Sequence, residues 1–340
     1  MILTPLLLAV VLSDFLGLLF LGTAVFQTFR VLENWQPASS GSRQLTLERR
    51  VEMAGLYSQL TLGGFAFGGL LLLVAICHSL PAMVPGAMCG TGVLQAAGLP
   101  GWRALGFRLL ALVLLGMAGL IKGLNQGTAT APLAPPLTRT LLLALPLCGW
   151  TLYDTARAFL MLNTHAPVSC CAVIYSQVAS TAPKASFIAL PAPLRVGLLA
   201  LLSALMLILL FNARIKADAR GPLVLASTAL WLPMAVSVLL TCFAAYHFEV
   251  LDHRCPWCLF LPEHRLVGYP LLAAFLVMGT EAPVPWLAQR LSRRYPDCEA
   301  AVVHRIKKVR VRILMAMTVF WGVGGLPALI WRLRYGVWLG

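Results

Sequence analysis

The feature that most constrains this chain is a set of long apolar runs with almost no charge in them. Residues 196–212, VGLLALLSALMLILLFN, contain no Asp, Glu, Lys or Arg, and comparable runs recur along the sequence. About 20 mostly apolar residues in a helix rise about 1.5 Å each and cross a hydrocarbon core of about 30 Å. Eight segments qualify as candidate spans: 2–29, 57–77, 104–124, 140–162, 194–212, 223–247, 266–280 and 313–331. The seventh is the weakest, being short and holding Pro270, with Pro283 and Pro285 just beyond. The first lacks the basic start and small-x-small cleavage site of a signal peptide, and its apolar run is too long for one, so it is read as a span. Only 11% of the 340 residues are charged and 59% are hydrophobic, against roughly 25% charged in an ordinary soluble domain. These numbers exclude a soluble globular enzyme, a disordered tail and a coiled coil. The expectation is an all-α polytopic membrane protein, a single membrane domain over 1–340 in a lipid bilayer.

The net charge of +14 would suggest nucleic acid in a soluble protein. In a membrane protein it reports orientation, and nucleic acid is not expected. With eight spans, 17 of the 26 basic residues fall on the face shared by the first, third, fifth and seventh loops. The positive-inside rule then places those loops in the cytoplasm and both termini outside. The basic segment 281–312 reads as a surface-lying cytoplasmic helix. External loops are expected at about 78–103, 163–193 and 248–265. On this topology six of the nine cysteines, Cys77, Cys89, Cys170, Cys171, Cys255 and Cys258, lie in or beside external loops, with five of the six histidines. The topology is that expected of a bacterial inner (cytoplasmic) membrane protein with its cysteine loops on the outer face.

The clearest motif is His253-Arg254-Cys255-Pro256-Trp257-Cys258, just before the seventh span. Two cysteines three apart in a first helical turn can close a small redox disulfide. A helix N-terminus, His253 and Arg254 would all favour the Cys255 thiolate, and Pro256 tolerates a first-turn position. Cys255 is then the acidic, exposed thiol and Cys258 its resolving partner. The same spacing also suits a plain structural disulfide or a pair of metal ligands. Cys77-His78 and Cys89 bracket a loop with Gly86, Met83 and Met88; they fit a second exchanging pair, a structural disulfide, or part of a soft-metal site. Adjacent Cys170 and Cys171 are expected to bond to different partners, because a disulfide between neighbours is strained.

The histidines admit two readings. His247, Glu249, Asp252 and His253 with the two cysteines would make a zinc site, and His78 would join a zinc or copper set. Alternatively His78, His165 and His264 are interfacial residues satisfied by water. Ionisable groups inside spans are costly and count as functional candidates. Asp14 fits either a proton-handling group facing a cofactor pocket or a carboxylate bonded to another helix. Asp154 and Arg157, with Asp14, are the candidate cofactor-binding residues; the two are also spaced to pair on one helix face, and Lys122 is placed to snorkel at a helix end. No Walker, Rossmann, kinase or haem-attachment pattern is present.

Over about ten residues, Cys255-Pro-Trp-Cys258-Leu-Phe at a span entrance resembles the active motif of quinone-linked membrane thiol oxidoreductases. These are the disulfide-bond-forming enzymes and the bacterial relatives of vitamin K epoxide reductase. The resemblance implies that Cys255 and Cys258 exchange electrons with a quinone. It also implies that Cys170/Cys171 or Cys77/Cys89 relay oxidation to a periplasmic or other extracytoplasmic redox protein. Those families use four or five spans, against the eight expected here, and the Arg that one of them places shortly after the motif is Arg265 at the nearest. Three function classes follow: a thiol–disulfide redox protein, a zinc- or copper-handling membrane protein, and a non-catalytic subunit of an electron-transfer complex stapled by disulfides.

Overall fold

The computed structural model describes residues 4–36, 41–126, 128, 131–164, 167–168, 190–212, 217–250 and 253–338. Every regular element among them is helical. Seven helical stretches are long and apolar enough to cross a membrane: Pro5–Asn34, Ser42–Ser79, Gly90–Asn125, Ala192–Phe211, Arg220–Phe248, Gly268–Arg294 and Pro296–Tyr335. The chain is an all-α polytopic membrane protein. The expected fourth span is also a helix, Ala134–Thr155, but Arg139, Asp154 and Pro135, Pro136 and Pro146 dilute its apolar character below that of the other seven. Expected as one membrane domain, the chain clusters into two compact units.

The first unit comprises Met1–Pro85, Gly92–Val168 and Ser292–Val303. Helix α1 (Pro5–Thr28) starts where the hydroxyl of Thr4 accepts from the N–H of Leu7 at 3.2 Å, with Pro5 in the first turn. It packs tightly on α2 (Ser42–Val74). Small residues allow the two backbones to approach, and hydroxyls then lock them. Ser13 donates to the carbonyl of Gly64 at 2.8 Å, and Thr61 donates to that of Gly17 at 3.0 Å. Leu12, Phe15, Leu16 and Leu19 of α1 are about half exposed, as expected of a lipid-facing stripe. Helix α3 (Gly90–Asn125) is kinked at Gly98–Pro100, where proline removes an N–H donor from the ladder. Helix α4 (Ala134–Thr155) runs into a π turn, Ala156–Leu160.

Buried charges tie these four helices together. Arg108 of α3 grips both carboxylate oxygens of Asp14, one at 2.8 Å, and also donates to the carbonyl of Phe65 at 3.2 Å and to Thr155 at 3.4 Å. A Cβ at position 68 would lie 2.8 Å from the Asp14 carboxylate, so glycine is required there. Both oxygens of Asp14 are thus occupied; it is the carboxylate bonded to another helix, not a group held open for a cofactor. Arg108 is 4% exposed inside α3. Asp154 pairs with Arg103 at 2.6 and 3.0 Å rather than with Arg157. The π turn starting at Ala156 widens the helix and takes Arg157 out of the i, i+3 register. Lys122 does not snorkel: it is buried, and its ammonium donates to Gln59 at 2.9 Å.

The second unit comprises Gly86–Thr91, Ser169–Leu291 and His304–Gly340. Its spans are α5 (Ala192–Phe211), α6 (Ala217–Val238), α7 (Gly268–Glu281) and α9 (Glu299–Val319, from His304 onward), with α8 (Val284–Arg294) and α10 (Leu326–Tyr335) shorter. An aromatic cluster fills the middle: Trp231 meets Phe320 edge-on at 5.0 Å, and Phe243, Phe275 and Trp321 surround them. Ser203 satisfies two indoles at once, accepting from Trp231 at 2.8 Å and Trp321 at 3.3 Å. The basic segment 281–312 is not one surface helix. It divides into α8, a 3-10 turn at Pro296–Cys298 and the first half of α9. Glu281, buried, accepts from Arg305 at 3.0 Å and also from Arg312.

The Asp14–Arg108 pair yields a stability prediction. Removing one partner of a buried pair strands the other and costs about 3–5 kcal/mol, whereas replacing both by apolar residues of similar volume is often neutral. Asp14→Leu and Arg108→Met should each lower the thermal midpoint in detergent sharply. The double variant should recover most of the loss.

Candidate thiol site

The local sequence builds the site by alternating proline with short turns. Proline biases its predecessor to extended backbone, and Cys255 before Pro256 is extended at φ −74°, ψ 116°. Pro256 then opens a 3-10 helix, Pro256–Phe260, where its missing N–H costs nothing. Leu261, ahead of Pro262, is extended again, and a second 3-10 turn spans Pro262–His264. Arg265 and Leu266 take left-handed backbone, φ 58° and 56°, before α7 begins at Gly268. Phe260 is seated directly on that first residue of α7: a Cβ at position 268 would lie 2.7 Å from the ring. Tyr269 meets Phe260 edge-on at 5.1 Å.

Cys255 therefore caps a five-residue 3-10 helix of its own, and does not sit in the first turn of the span. The Cys258 sulfur lies within 4.8 Å of its own. Cys89, from the short segment Gly86–Thr91 of the same unit, brings its sulfur to 3.5 Å from that of Cys255, and the Thr91 hydroxyl lies at 3.2 Å. The sulfur atoms of Cys89, Cys255 and Cys258 all lie within 4.8 Å of one another. All three residues are buried, and Cys255 is 0% exposed, where the sequence suggested an exposed thiol.

The electrostatics separate the two cysteines of the motif. The Cys258 and Cys89 thiols, reinforced by the Thr91 hydroxyl, hold the Cys255 thiol well below its ordinary range against the opposing effect of burial. The Cys258 thiol is pushed upward, first by donating to Cys255, then by Cys89 and burial. The direction is that expected from sequence, but the cause is different. Neighbouring thiols and a hydroxyl supply it, in place of a long helix N-terminus, His253 and Arg254. His253 lies on the edge of Phe248, ring centroids 4.6 Å apart, and His264 meets Phe248 at the same distance. Burial keeps His253 toward its neutral form.

The other expected site residues lie elsewhere. Cys77 and His78 belong to the π turn Ala75–Ser79 of the first unit. His247 ends the sixth-span helix Ala244–Phe248 and stands outside the sulfur cluster, as does His253. Asp14 and Asp154 are engaged by Arg108 and Arg103, and Arg157 lies in the π turn after α4. Cys170, Cys171, His165 and Asp252 lie outside the described residues. Sequence reasoning missed Thr91 and the direct meeting of Cys89 with Cys255, 166 residues apart, for which the only local signal was a cysteine just ahead of a helix. The second unit also carries an apolar cavity of about 600 Å³ between α5, α9 and α10, lined by Leu207, Phe243, Met317, Trp321 and Leu326. Its lining is almost wholly apolar, which suits a hydrocarbon chain.

A thiol held below its usual range is ionised at neutral pH and protonates only in acid. The ultraviolet thiolate absorbance lost on Cys255→Ser should thus persist into weakly acidic buffer. Thr91→Val and Cys89→Ala each remove a donor and should move its titration upward. A Cys255 signal that appears only in alkaline buffer would contradict this account of the site. Compared with known proteins, the chain matches no family model, no curated protein and no solved structure.

Proposed function

We propose that this integral membrane protein is a thiol–disulfide redox protein whose working pair is Cys255 and Cys258. The observation that carries the reading is the asymmetry of the pair: the Cys255 sulfur has the Thr91 hydroxyl at 3.2 Å and the Cys89 sulfur at 3.5 Å, and the Cys258 sulfur lies within 4.8 Å of it. Such a sulfur is a stabilised thiolate and therefore a good leaving group. In the oxidised pair, a substrate thiolate attacks the Cys255 sulfur and Cys258 departs, taking up a proton as its raised affinity favours. The second thiolate of the substrate then attacks the substrate sulfur of that mixed disulfide, closing the substrate disulfide and expelling Cys255 as the thiolate. The substrate dithiol has lost two electrons and two protons, and the pair has gained the electrons. Regeneration passes those two electrons to a membrane carrier; quinone is the choice that the motif resemblance supplies.

The setting belongs to the same proposal. The pair lies between the stretches Arg220–Phe248 and Gly268–Arg294, at the end of a span rather than within one. We place that end on the outer face of a bacterial inner membrane, where disulfides persist and an extracytoplasmic redox protein would supply the thiols. Because Cys255 is fully buried, the partner reaches it only when the segment around the 3-10 helix opens. Exchange should thus be slow for bulky thiols and fast for small ones.

The test is thiol state. Alkylation with a mass tag, before and after reduction, should show the Cys255–Cys258 peptide moving between dithiol and disulfide as small thiol and disulfide reagents are alternated. Cys255→Ser should abolish the shift. A pair that stays in one state through both treatments, in protein whose other cysteines do respond, would sink the proposal.

A further inference from the structure

We infer that the three thiols of Cys89, Cys255 and Cys258 form a binding site for a soft monovalent cation of the copper(I) class. This goes beyond exchange by the pair. It requires only that the thiols be reduced, and it stands whether or not they also cycle.

Ligand number and type select the ion. Three sulfur atoms arranged in a plane around one ion, each at about 2.3 Å, are about 4 Å apart. The observed spacings, 3.5 Å for Cys89 to Cys255 and no more than 4.8 Å for any pair, bracket that value. Drawing the sulfurs onto a common centre therefore takes side-chain adjustments of a fraction of an ångström. No histidine nitrogen or carboxylate oxygen among the described residues joins the group within that distance. Zinc in a structural site takes four ligands, and the burial of all three cysteines leaves little room for water to supply the fourth. Copper(I) is satisfied by three soft thiolates and prefers them to nitrogen or oxygen donors.

The surroundings suit the charge. Ionising thiols in a buried site is costly, and a bound cation offsets part of that cost, which couples metal binding to release of the thiol protons. The site already holds a donor that stabilises sulfur charge from outside the ligand set. The Thr91 hydroxyl lies 3.2 Å from the Cys255 sulfur. The ligands come from two places far apart in sequence, the segment before α3 and the 3-10 helix before α7, so the ion would also staple those segments together.

The experiment uses the full chain in detergent, reduced and free of oxygen. It is titrated with copper(I) against a chromogenic copper(I) chelator, and the bound metal is examined by X-ray absorption. The expected result is one equivalent held against the chelator with a sulfur-only first shell, not displaced by excess zinc. Cys89→Ser should weaken binding by roughly tenfold or more, while Cys298→Ser should leave it unchanged. Equal retention by wild type and Cys89→Ser, a first shell containing nitrogen, or displacement by zinc would each overturn the inference. If Cys89→Ser does not fold, the first shell and zinc competition of the wild type still decide. Thiol cycling is followed in the same preparations without metal. Lost copper binding with intact cycling removes this inference alone, and lost cycling with sulfur-bound copper removes only the exchange reading.

Discussion

Everything in this chain is subordinate to one constraint: in hydrocarbon there is no water to bond a backbone amide. A span must close its N–H and C=O groups within its own helix. That is why the described residues are helices joined by short connections, and why departures from regular helix carry meaning. Proline in α3 is accommodated at a kink, and the π turns at Ala75–Ser79, Ala156–Leu160 and Leu239–Phe243 keep the ladder closed while shifting its register. The stretch from His253 to Val267, with two 3-10 turns and two left-handed residues, is the largest departure among the described residues between spans. The cysteine cluster lies there. Irregular backbone is the means by which Cys255, Cys258 and their neighbours can be aimed at one another, because a regular helix would fix cysteines three apart on its own surface.

The same low-dielectric setting explains the charges. A carboxylate in a span is tolerable only when its oxygens are taken, and Asp14, Asp154 and Glu281 each have arginine partners on both oxygens or from two directions. Arginine suits the task because its planar fork meets both oxygens at once. In the first unit the pairs join α1 to α3 and α3 to α4. In the second, Glu281 at the end of α7 joins the basic half of α9. Buried pairs of this kind add specificity more than net stability: they state which helix stands beside which.

What was legible in the sequence follows from what is local. The apolar runs gave the helices and the membrane class, since span length depends only on consecutive residues. The weakness of the seventh span was visible in its prolines and its length. Cys255 and Cys258 were legible as a pair because their spacing is three. Partners across the chain were not: Asp14 with Arg108, Asp154 with Arg103 and Cys89 with Cys255 are separated by 94, 51 and 166 residues. Local spacing offered a plausible wrong partner for one of them, Arg157 for Asp154. The acidity of Cys255 was anticipated from helix electrostatics, yet a five-residue 3-10 helix has little dipole to offer. Tertiary neighbours supply what local structure could not.

The brevity of α7 reaches beyond the protein itself. Its 14 residues, Gly268–Glu281, rise only about 21 Å at 1.5 Å each, and the chain turns at Ala282 and Pro283 before α8. A bilayer of ordinary thickness does not match that length, and either the lipid beside α7 thins or α8 tilts inward to complete the crossing. Thinning draws headgroups and water toward the buried Glu281 and its arginines. The chain would then be most at ease in a thin membrane, and acyl-chain length becomes a variable that acts on the same helix whose first residue, Gly268, carries the Phe260 ring of the cysteine segment.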